Sequence, residues 1–479
     1  MQPEIELKLD ILPEWTDALL EWPGLPPDNR VESLHATYFD TPDRLLAARG
    51  FSLRIRRSGR RRVQTVKASG KGGAGLFARD EWDMPVRGNV PVLDDRNPIA
   101  ALLGDAVTAI APIFTVEVER RIWLVNEGDA TIELVLDIGM IHAEGRKDPV
   151  CEIELELKAG DPSALFALAR RIDSDIPVRP GVLTKSERGY RLRDALPGAF
   201  KAEPVMCDPA TDIGSAFVQV MAACLRQYRL NEALLLRHYR GEALHQARVA
   251  VRRLRSALTL FKPVLGKADR MRFRGELRWL GHLLGEARDL DVLLEQRAPG
   301  DPHRVTLEQA QADAHARVLD WLGSARVRML MIDLVEWLAS GPVRRKAGAA
   351  AAHLAARRLR RYRRRIAKRG RRLDRLTDEA RHAVRKDAKT LRYGAAFFGS
   401  LFDRKRQRRR RKTFVAALER MQAELGALND LVSAPRTLAR YGLVDAPSPV
   451  ERDALLAAAA KAQADFADCK GFWSDCKGF

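Results

Sequence analysis

The sequence predicts a multidomain chain, an α+β half built on antiparallel strands followed by an all-α half, and three observations carry that reading. Residues 1–195 alternate apolar and charged side chains with period 2, as strands with one polar face do. From Thr211 onward the pattern is helical, rich in Ala, Leu and Arg with few strand formers. Within that half a motif repeats: His245-Gln-Ala-Arg248-Val-Ala-Val-Arg252-Arg253-Leu-Arg255 returns as His382-Ala-Val-Arg385-Lys386-Asp-Ala-Lys389-Thr-Leu-Arg392, at an offset of 137. A second pair, from Leu284 to Asp291 and from Leu425 to Val432, follows at an offset of 141. The expected boundaries are 1–198 for the strand domain, 199–210 for a linker, 211–341 for the first helical repeat and 342–479 for the second repeat with its tail.

Charge separates the same two halves. The chain of 479 residues has a formal net charge of +20, yet residues 1–200 hold 27 basic and 32 acidic residues and the remainder 56 and 31. A mildly acidic half therefore precedes one of net +25, and a cationic half of that size expects a polyanion. Five scattered cysteines without a CxxC pair fit a reducing compartment and exclude a zinc site of that kind. The start lacks a basic n-region before an apolar stretch, and no apolar run approaches 18 residues, so the expectation is a soluble, cytoplasmic protein without membrane insertion.

Taken in order, the strands share a charged face. Glu4, Glu6 and Lys8 alternate with Ile5, Leu7 and Leu9; Arg54 and Arg56 with Leu53 and Ile55; Thr65 and Lys67 with Val66. Arg79, Glu81 and Asp83 alternate with Trp82 and Met84, Glu133 and Asp137 with Leu134, Leu136 and Ile138, and Glu152, Glu154 and Glu156 with Ile153, Leu155 and Leu157. For one strand such a face is simply the wet one. Alternating glutamates on several strands repel unless neutralised, and a hard cation held by carboxylate oxygens does this. A closed barrel with these faces inward would hold carboxylates for a divalent metal beside Lys and Arg for a phosphate chain.

Glu4-Ile-Glu6-Leu-Lys8 matches the ExExK signature of the CYTH domains, the triphosphate tunnel metalloenzymes. Tyr38-Phe-Asp40-Thr, Leu53-Arg54-Ile-Arg56, Thr65-Val-Lys67, Arg79-Asp-Glu81-Trp, Arg120-Arg121-Ile-Trp123, Asp137-Ile-Gly139, Cys151 to Lys158 and Lys185-Ser-Glu-Arg188-Gly-Tyr190 follow in the family's order. Residues 1–195 thus resemble that family, and the resemblance implies an eight-stranded antiparallel β tunnel with flanking helices. It further implies that Lys8, Arg54, Arg56, Lys67, Arg120, Lys185 and Arg188 bind triphosphate. Glu4, Glu6, Glu81, Asp137, Glu152 and Glu154 would hold Mg²⁺ or Mn²⁺, and Glu4, Glu6 and Lys8 would be catalytic. The implied reaction is hydrolysis of inorganic triphosphate to pyrophosphate and orthophosphate. Class IV adenylyl cyclases share the tunnel, but no separate base-binding motif stands in the sequence.

On a helix, positions 0, 3, 7 and 10 fall within about 80° of arc. His245, Arg248, Arg252 and Arg255 therefore form one cationic stripe, and His382, Arg385, Lys389 and Arg392 its counterpart. Arginine neighbours, without carboxylates or cysteines, favour anion binding over metal ligation for the two histidines. This half resembles the CHAD domain, the conserved-histidine helical domain found behind CYTH domains. The resemblance implies a duplicated pair of four-helix bundles and inorganic polyphosphate as ligand, held by His245, Arg248, Arg252, Arg253, Arg255, His382, Arg385, Lys386, Lys389 and Arg392. Association with polyphosphate granules would follow.

Two denser runs lie outside the repeat, Arg357–Arg372 with 11 basic residues in 16 and Arg404–Lys412 with eight in nine. Few aromatics interleave with them, which argues against a stacking platform for single-stranded nucleic acid, and no specific nucleic-acid partner is expected. The sequence points to a metal-dependent inorganic triphosphatase with a polyphosphate-binding helical domain. The competing readings are a non-catalytic polyphosphate-binding protein with a vestigial tunnel, an adenylyl cyclase, a nucleoside triphosphatase and a charge-driven nucleic-acid binder.

Overall fold

The computed structural model describes residues 4–68, 74–195, 197–341, 349–444 and 449–473; the side chain of Glu4 and residues 474–479 of the tail lie outside the described residues. The chain forms two compact units, Met1–Gly198 with Leu322–Ser340 and Ala199–Trp321 with Gly341–Phe479.

The first unit is a curled antiparallel half-barrel with flanking helices. Its strands are β1 (Glu4–Ile11), β2 (Arg30–Asp40), β3 (Phe51–Ser58), β4 (Arg61–Ala68), β5 (Leu76–Arg79), β6 (Glu81–Pro85), β7 (Ala111–Glu127), β8 (Ala130–Ala143), β9 (Arg146–Ala159) and β10 (Val178–Pro180). Nine run in the order β10-β1-β9-β8-β7-β2-β3-β4-β6, and β5 pairs with β1. The sheet has more strands than the expected eight for two local reasons. One extended run breaks at Asp80 into β5 and β6, which pair with different neighbours, and the three-residue β10 adds to β1. Two-residue loops set the hairpins; at Glu144-Gly145 both residues have positive φ (49° and 75°), the backbone that matches the right-handed twist of the flanking strands.

The helices of this unit are α1 (Thr16–Leu20), α2 (Leu45–Ala48), α3 (Ile99–Leu103), α4 (Ser163–Asp175) and α5 (Lys185–Leu192); α2 and α3 pack on the outer face of the sheet, and α5 packs on its concave face with Lys185 in the cavity lining. One core cluster packs Leu34, Tyr38, Phe114, Val116, Ile141 and Val150 with Leu192 of α5, and another packs Phe39, Leu53, Ile55 and Val66 with Leu46, Ile99 and Leu103. The second cluster lies on the outer face under α2 and α3, whereas the first lies on the concave face, where Leu34 and Tyr38 also line the cavity and Leu192 of α5 packs beside them.

The second unit is all-helical: α6 (Ile213–Arg237), α7 (Gly241–Leu260), α8 (Lys267–Glu295) and α9 (Arg304–Gly323), then, after α10 (Ala325–Ser340), α11 (Ala351–Arg369), α12 (Asp378–Phe398), α13 (Lys405–Ala439) and α14 (Pro449–Asp468). Asp212 caps α6 through the Ser215 N–H at 3.0 Å, and Thr377 caps α12 through that of Ala380 at 3.3 Å. Helices α6, α7 and α8 pack in succession, as do α11 to α14, and α7 meets α12 while α6 meets α11.

Helix α10 departs from the expected domain boundary, because residues 322–340 fold with the first unit. Its buried face, including Val327, Leu330, Met331, Leu334 and Val335, packs on α4 and β10. Arg170 of α4 pairs with Asp333 at 2.7 Å and with Glu336, and Arg328 pairs with the buried Asp173.

Candidate functional site

Strand register brings the charged residues of the first unit into rows. Across β1, β9 and β8, Glu6 faces Glu156 and Glu156 faces Glu133, Lys8 faces Glu154, and Glu152 faces Asp137. Asp137 in turn faces Arg120 of β7, which faces Glu32 of β2. On the other wall Tyr38 faces Arg54, Arg54 faces Thr65, and Lys67 faces Glu81. These rows enclose a cavity of about 1020 Å³ whose lining includes Glu6, Lys8, Arg54, Arg56, Lys67, Glu81, Arg120, Glu154 and Lys185. Lys185 arrives from a helix: Thr184 and Glu187 form a reciprocal cap that starts α5 with Lys185 in its first turn. Gly181 permits the approach of Lys8, since a Cβ there would lie 2.9 Å from the Lys8 Cγ.

The β8–β9–β1 wall is acidic and neutralised. Carboxylate oxygens of Asp137, Glu152 and Glu154 lie within 4.8 Å of one another. The Lys185 ammonium sits among them, 2.6 Å from Asp137 and 2.9 Å from Glu154, and also pairs with Glu152. Lys8 pairs with Glu152, and Arg120 donates a fork to Asp137 (2.8 and 2.6 Å) and a further hydrogen bond to Glu154 at 2.9 Å. Burial alone would raise the Asp137 and Glu154 pKa values, but Lys185 and Arg120 outweigh it and hold both below the usual carboxylate range. Burial would likewise lower Lys185 and Arg120, and the same carboxylates keep both pKa values raised. A cluster of hard oxygen donors is what Mg²⁺ or Mn²⁺ requires, and Glu152 Oε2 is buried without a hydrogen-bond partner, so the residues fit such an ion.

On the opposite wall Lys67 pairs with Glu81 at 2.8 Å, while Arg54 and Arg56 make no ion pair among the described residues. Arg54 makes one side-chain hydrogen bond, to the Tyr38 hydroxyl at 3.4 Å, and its Nε is buried without a partner. Arg56 has no ion pair among the described residues, and Arg54, burial and Arg120 together push its guanidinium down to about 10. Burial would raise the Tyr38 phenol, yet Arg54 takes it below its ordinary value. A polyanion entering this cavity would meet an acidic wall already filled with cations and a second wall where Lys67 is paired with Glu81 while Arg54 and Arg56 make no ion pair among the described residues.

The expected residues thus divide by position. Asp137 and Glu152 lie fully buried outside the cavity lining, while Glu6, Glu81 and Glu154 line it. Arg188 lies outside the lining as well, pairing with Asp148 at 2.6 Å. Of the other lining residues, Thr65, Asp83, Glu133 and Glu156 stand on the charged faces read from the sequence without a binding role given to them, and Tyr38 and Lys158 were not placed there. Period-2 alternation with Arg54, Glu81 and Glu154 was the signal for most of them.

In the second unit, α7 and α12 bring the repeated stripes together. Lys389 is pushed down to about 7 by burial and by Arg252, Arg385 and Arg248, which groups side chains from both repeats. Arg252 donates to the Tyr393 hydroxyl at 2.7 Å, and Arg392 lies over the same ring, 4.9 Å from its centroid. The neighbouring helices supply matched acceptors: Arg248 pairs with Asp289 at 3.2 Å, and Arg385 approaches Asp430 at 3.8 Å. The Arg248 and Arg385 side chains pass beside Gly285 and Gly426. His382 bonds Asn429 at 2.8 Å, and burial with Arg288, Arg252 and Arg248 lowers the His245 pKa. Arg253 is not in this group; it is buried, donates to Gln227 at 2.5 Å and lies over Phe397. Lys386 is exposed beside the group.

Residues 2–190 match the CYTH domain and residues 219–439 the CHAD domain. A curated relative, inorganic triphosphatase from Haemophilus influenzae, is 32% identical over 203 residues, covering 40% of this chain and 55% of that protein. An uncharacterized protein from Mycobacterium tuberculosis is 28% identical over 443 residues, 83% of this chain and 82% of that one. Among solved structures, the CHAD domain of the plant Ricinus communis is 29% identical with a TM-score of 0.46, covering 56% of this chain and 91% of that one. The chain is therefore a CYTH domain followed by a CHAD domain, distantly related to inorganic triphosphatase.

Proposed function

We propose that the first unit is a metal-dependent inorganic triphosphatase that hydrolyses tripolyphosphate to pyrophosphate and orthophosphate, and that the second unit binds inorganic polyphosphate. The observation that carries the reading is the two-walled cavity, with Asp137, Glu152 and Glu154 on one side and the unpaired Arg54 and Arg56 on the other.

Phosphoryl transfer depends mainly on positioning and on neutralising the equatorial and leaving oxygens. Arg54 and Arg56 would hold one end of the triphosphate, with Lys67 and Arg120 reaching it as their carboxylate partners exchange for phosphate. Lys8 and Lys185 would face the scissile region from the acidic wall. Glu6 lines the cavity beside them and would accept the proton of the attacking water. Asp137, Glu152 and Glu154, with Glu6 and Glu81, would hold Mg²⁺ or Mn²⁺, which would supply Lewis-acid stabilisation of phosphate oxygens.

In the second unit, Arg248, Arg252, Arg385 and Lys389 form a seat contributed by both repeats, where burial and then the three arginines lower Lys389 against the opposing Asp430.

The test is phosphate release from tripolyphosphate, ATP and long polyphosphate with Mg²⁺ or Mn²⁺, comparing the wild type with Glu6→Gln. Metal-dependent release that the variant loses is expected. Absence of release from all three substrates overturns the enzyme reading, and a cyclic nucleotide formed from ATP would reassign the cavity to a cyclase.

A further inference from the structure

The basic run on α11 divides into two sets. Arg358, Arg363 and Arg365 serve the fold: Arg358 donates to the Thr259 carbonyl at 2.7 Å, Arg363 to the carbonyls of Ala467 and Cys469 at 2.9 Å, and Arg365 pairs with Asp387 at 3.1 Å. Arg357, Arg360, Arg361, Arg364 and Lys368 have no ion-pair or hydrogen-bond partner among the described residues. At 100° and 1.5 Å per residue these five span about 100° of arc and about 16 Å of axis, a straight track along one helix face. With Pro263 they line most of a trough of about 640 Å³.

The trough's chemistry is one-sided. No carboxylate, amide or hydroxyl side chain lines it, so it presents donors alone, mostly guanidinium forks suited to phosphate oxygens. The nearby ring, Tyr362, is buried beneath Arg358 and Arg365, 5.6 and 5.2 Å from its centroid, and offers no surface on which a base could stack. A ligand suited to this face presents anionic oxygens along a line and needs nothing else read.

We infer that this face of α11 is a second seat for a linear inorganic phosphate chain. It shares no residue with the α7–α12 group, and it rests on the polyphosphate reading of the second unit. A long chain engages both seats; a short one does not need the second.

The experiment uses the full chain with Arg357→Gln, Arg361→Gln, Arg364→Gln and Lys368→Gln combined, probed with long-chain polyphosphate, tripolyphosphate and duplex DNA across a salt series. Long-chain affinity should fall at least ten-fold at low salt, and the slope of log affinity against log salt should fall by about 0.7 for each phosphate that the variant no longer neutralises. Tripolyphosphate hydrolysis should not change. Substituting Lys for the three arginines, with Lys368 kept, should restore most of the affinity, which separates lost charge from a folding defect.

Unchanged polyphosphate affinity and slope in the Gln variant overturn this seat while leaving the α7–α12 reading intact. A separate Arg252→Gln, Lys389→Gln variant that binds as tightly as wild type overturns that reading alone. An equal loss of duplex DNA affinity at matched charge reduces the face to a generic cation surface and also overturns the proposal.

Discussion

Arg54 and Arg56 stand two residues apart on β3, both on the cavity wall, and Arg54 is the largest influence lowering Arg56 to about 10. Neither makes an ion pair among the described residues, but against burial Tyr38 and Glu81 hold Arg54 above its ordinary value, so the repulsion falls on Arg56 and an incoming anion relieves it there. Arg56→Gln should therefore lower kcat/KM for tripolyphosphate by about ten- to a hundred-fold, the range for a charge-assisted hydrogen bond of about 1.5–3 kcal/mol. The unfolding midpoint should stay equal or rise. Steady-state kinetics and thermal unfolding of the same preparation check both halves; a large stability loss with kinetics intact would refute the assignment.

Lys185 is the shared cation of three carboxylates, and its removal has a predictable cost. Lys185→Met should destabilise the first unit by about 3–5 kcal/mol, because a buried acidic cluster is left short of charge. Added Mn²⁺ should recover part of the loss if the cluster takes a metal, and chemical denaturation with and without the ion measures it.

Acid should act through the same cluster. Asp137 and Glu154 have folded-state pKa values below those of the unfolded chain. Their contribution is thus complete above the ordinary carboxylate range, near pH 4, and is lost as pH falls through the lowered folded values. Stability measured against pH should show this loss in wild type and a smaller one in Asp137→Asn.

Polyphosphate binding should weaken above neutrality. Lys389 titrates at about 7 in the free protein, lowered by burial and then by Arg252, Arg385 and Arg248, with Asp430 opposing. Bound phosphate favours the ammonium, so binding takes up a proton and affinity falls as pH rises through 7 toward the bound-state value. His245 is also lowered and is not the source of this change above 7. Calorimetry in buffers of different ionisation enthalpy should detect the uptake, and Lys389→Arg should abolish it while retaining binding.

Arg328 should prove essential to the docking of α10. It pairs with Asp173, which also accepts the Val178 N–H of β10 at 3.0 Å. Arg328→Ala leaves that carboxylate buried without its cation, and hydrogen exchange at β10 and α10 should rise together.

Alternation and repetition are local properties, and the sequence alone carried them far. The charged face of each strand, the two histidine–arginine stripes and the change of sign between the halves need no tertiary information, because backbone period and residue type determine them. Which charged residues share a wall depends on register. Glu152 and Glu154 look equivalent two residues apart, yet one is buried beneath the cavity and the other lines it.

Tertiary structure alone decided three further matters. Among the described residues Arg54 and Arg56 make no ion pair, because register sets Thr65 and Val63 opposite them, while Lys8, Lys67 and Arg120 face carboxylates across strands and α5 carries Lys185 to Asp137. Arg253 turns into the core although it neighbours Arg252, since successive residues on a helix point about 100° apart. Helix α10, helical by pattern like its neighbours, joins the strand unit because Asp173 and Arg170 supply the charges its face requires. Sequence patterning determined which side chains could meet an anion; long-range pairing decided which of them remain free to do so.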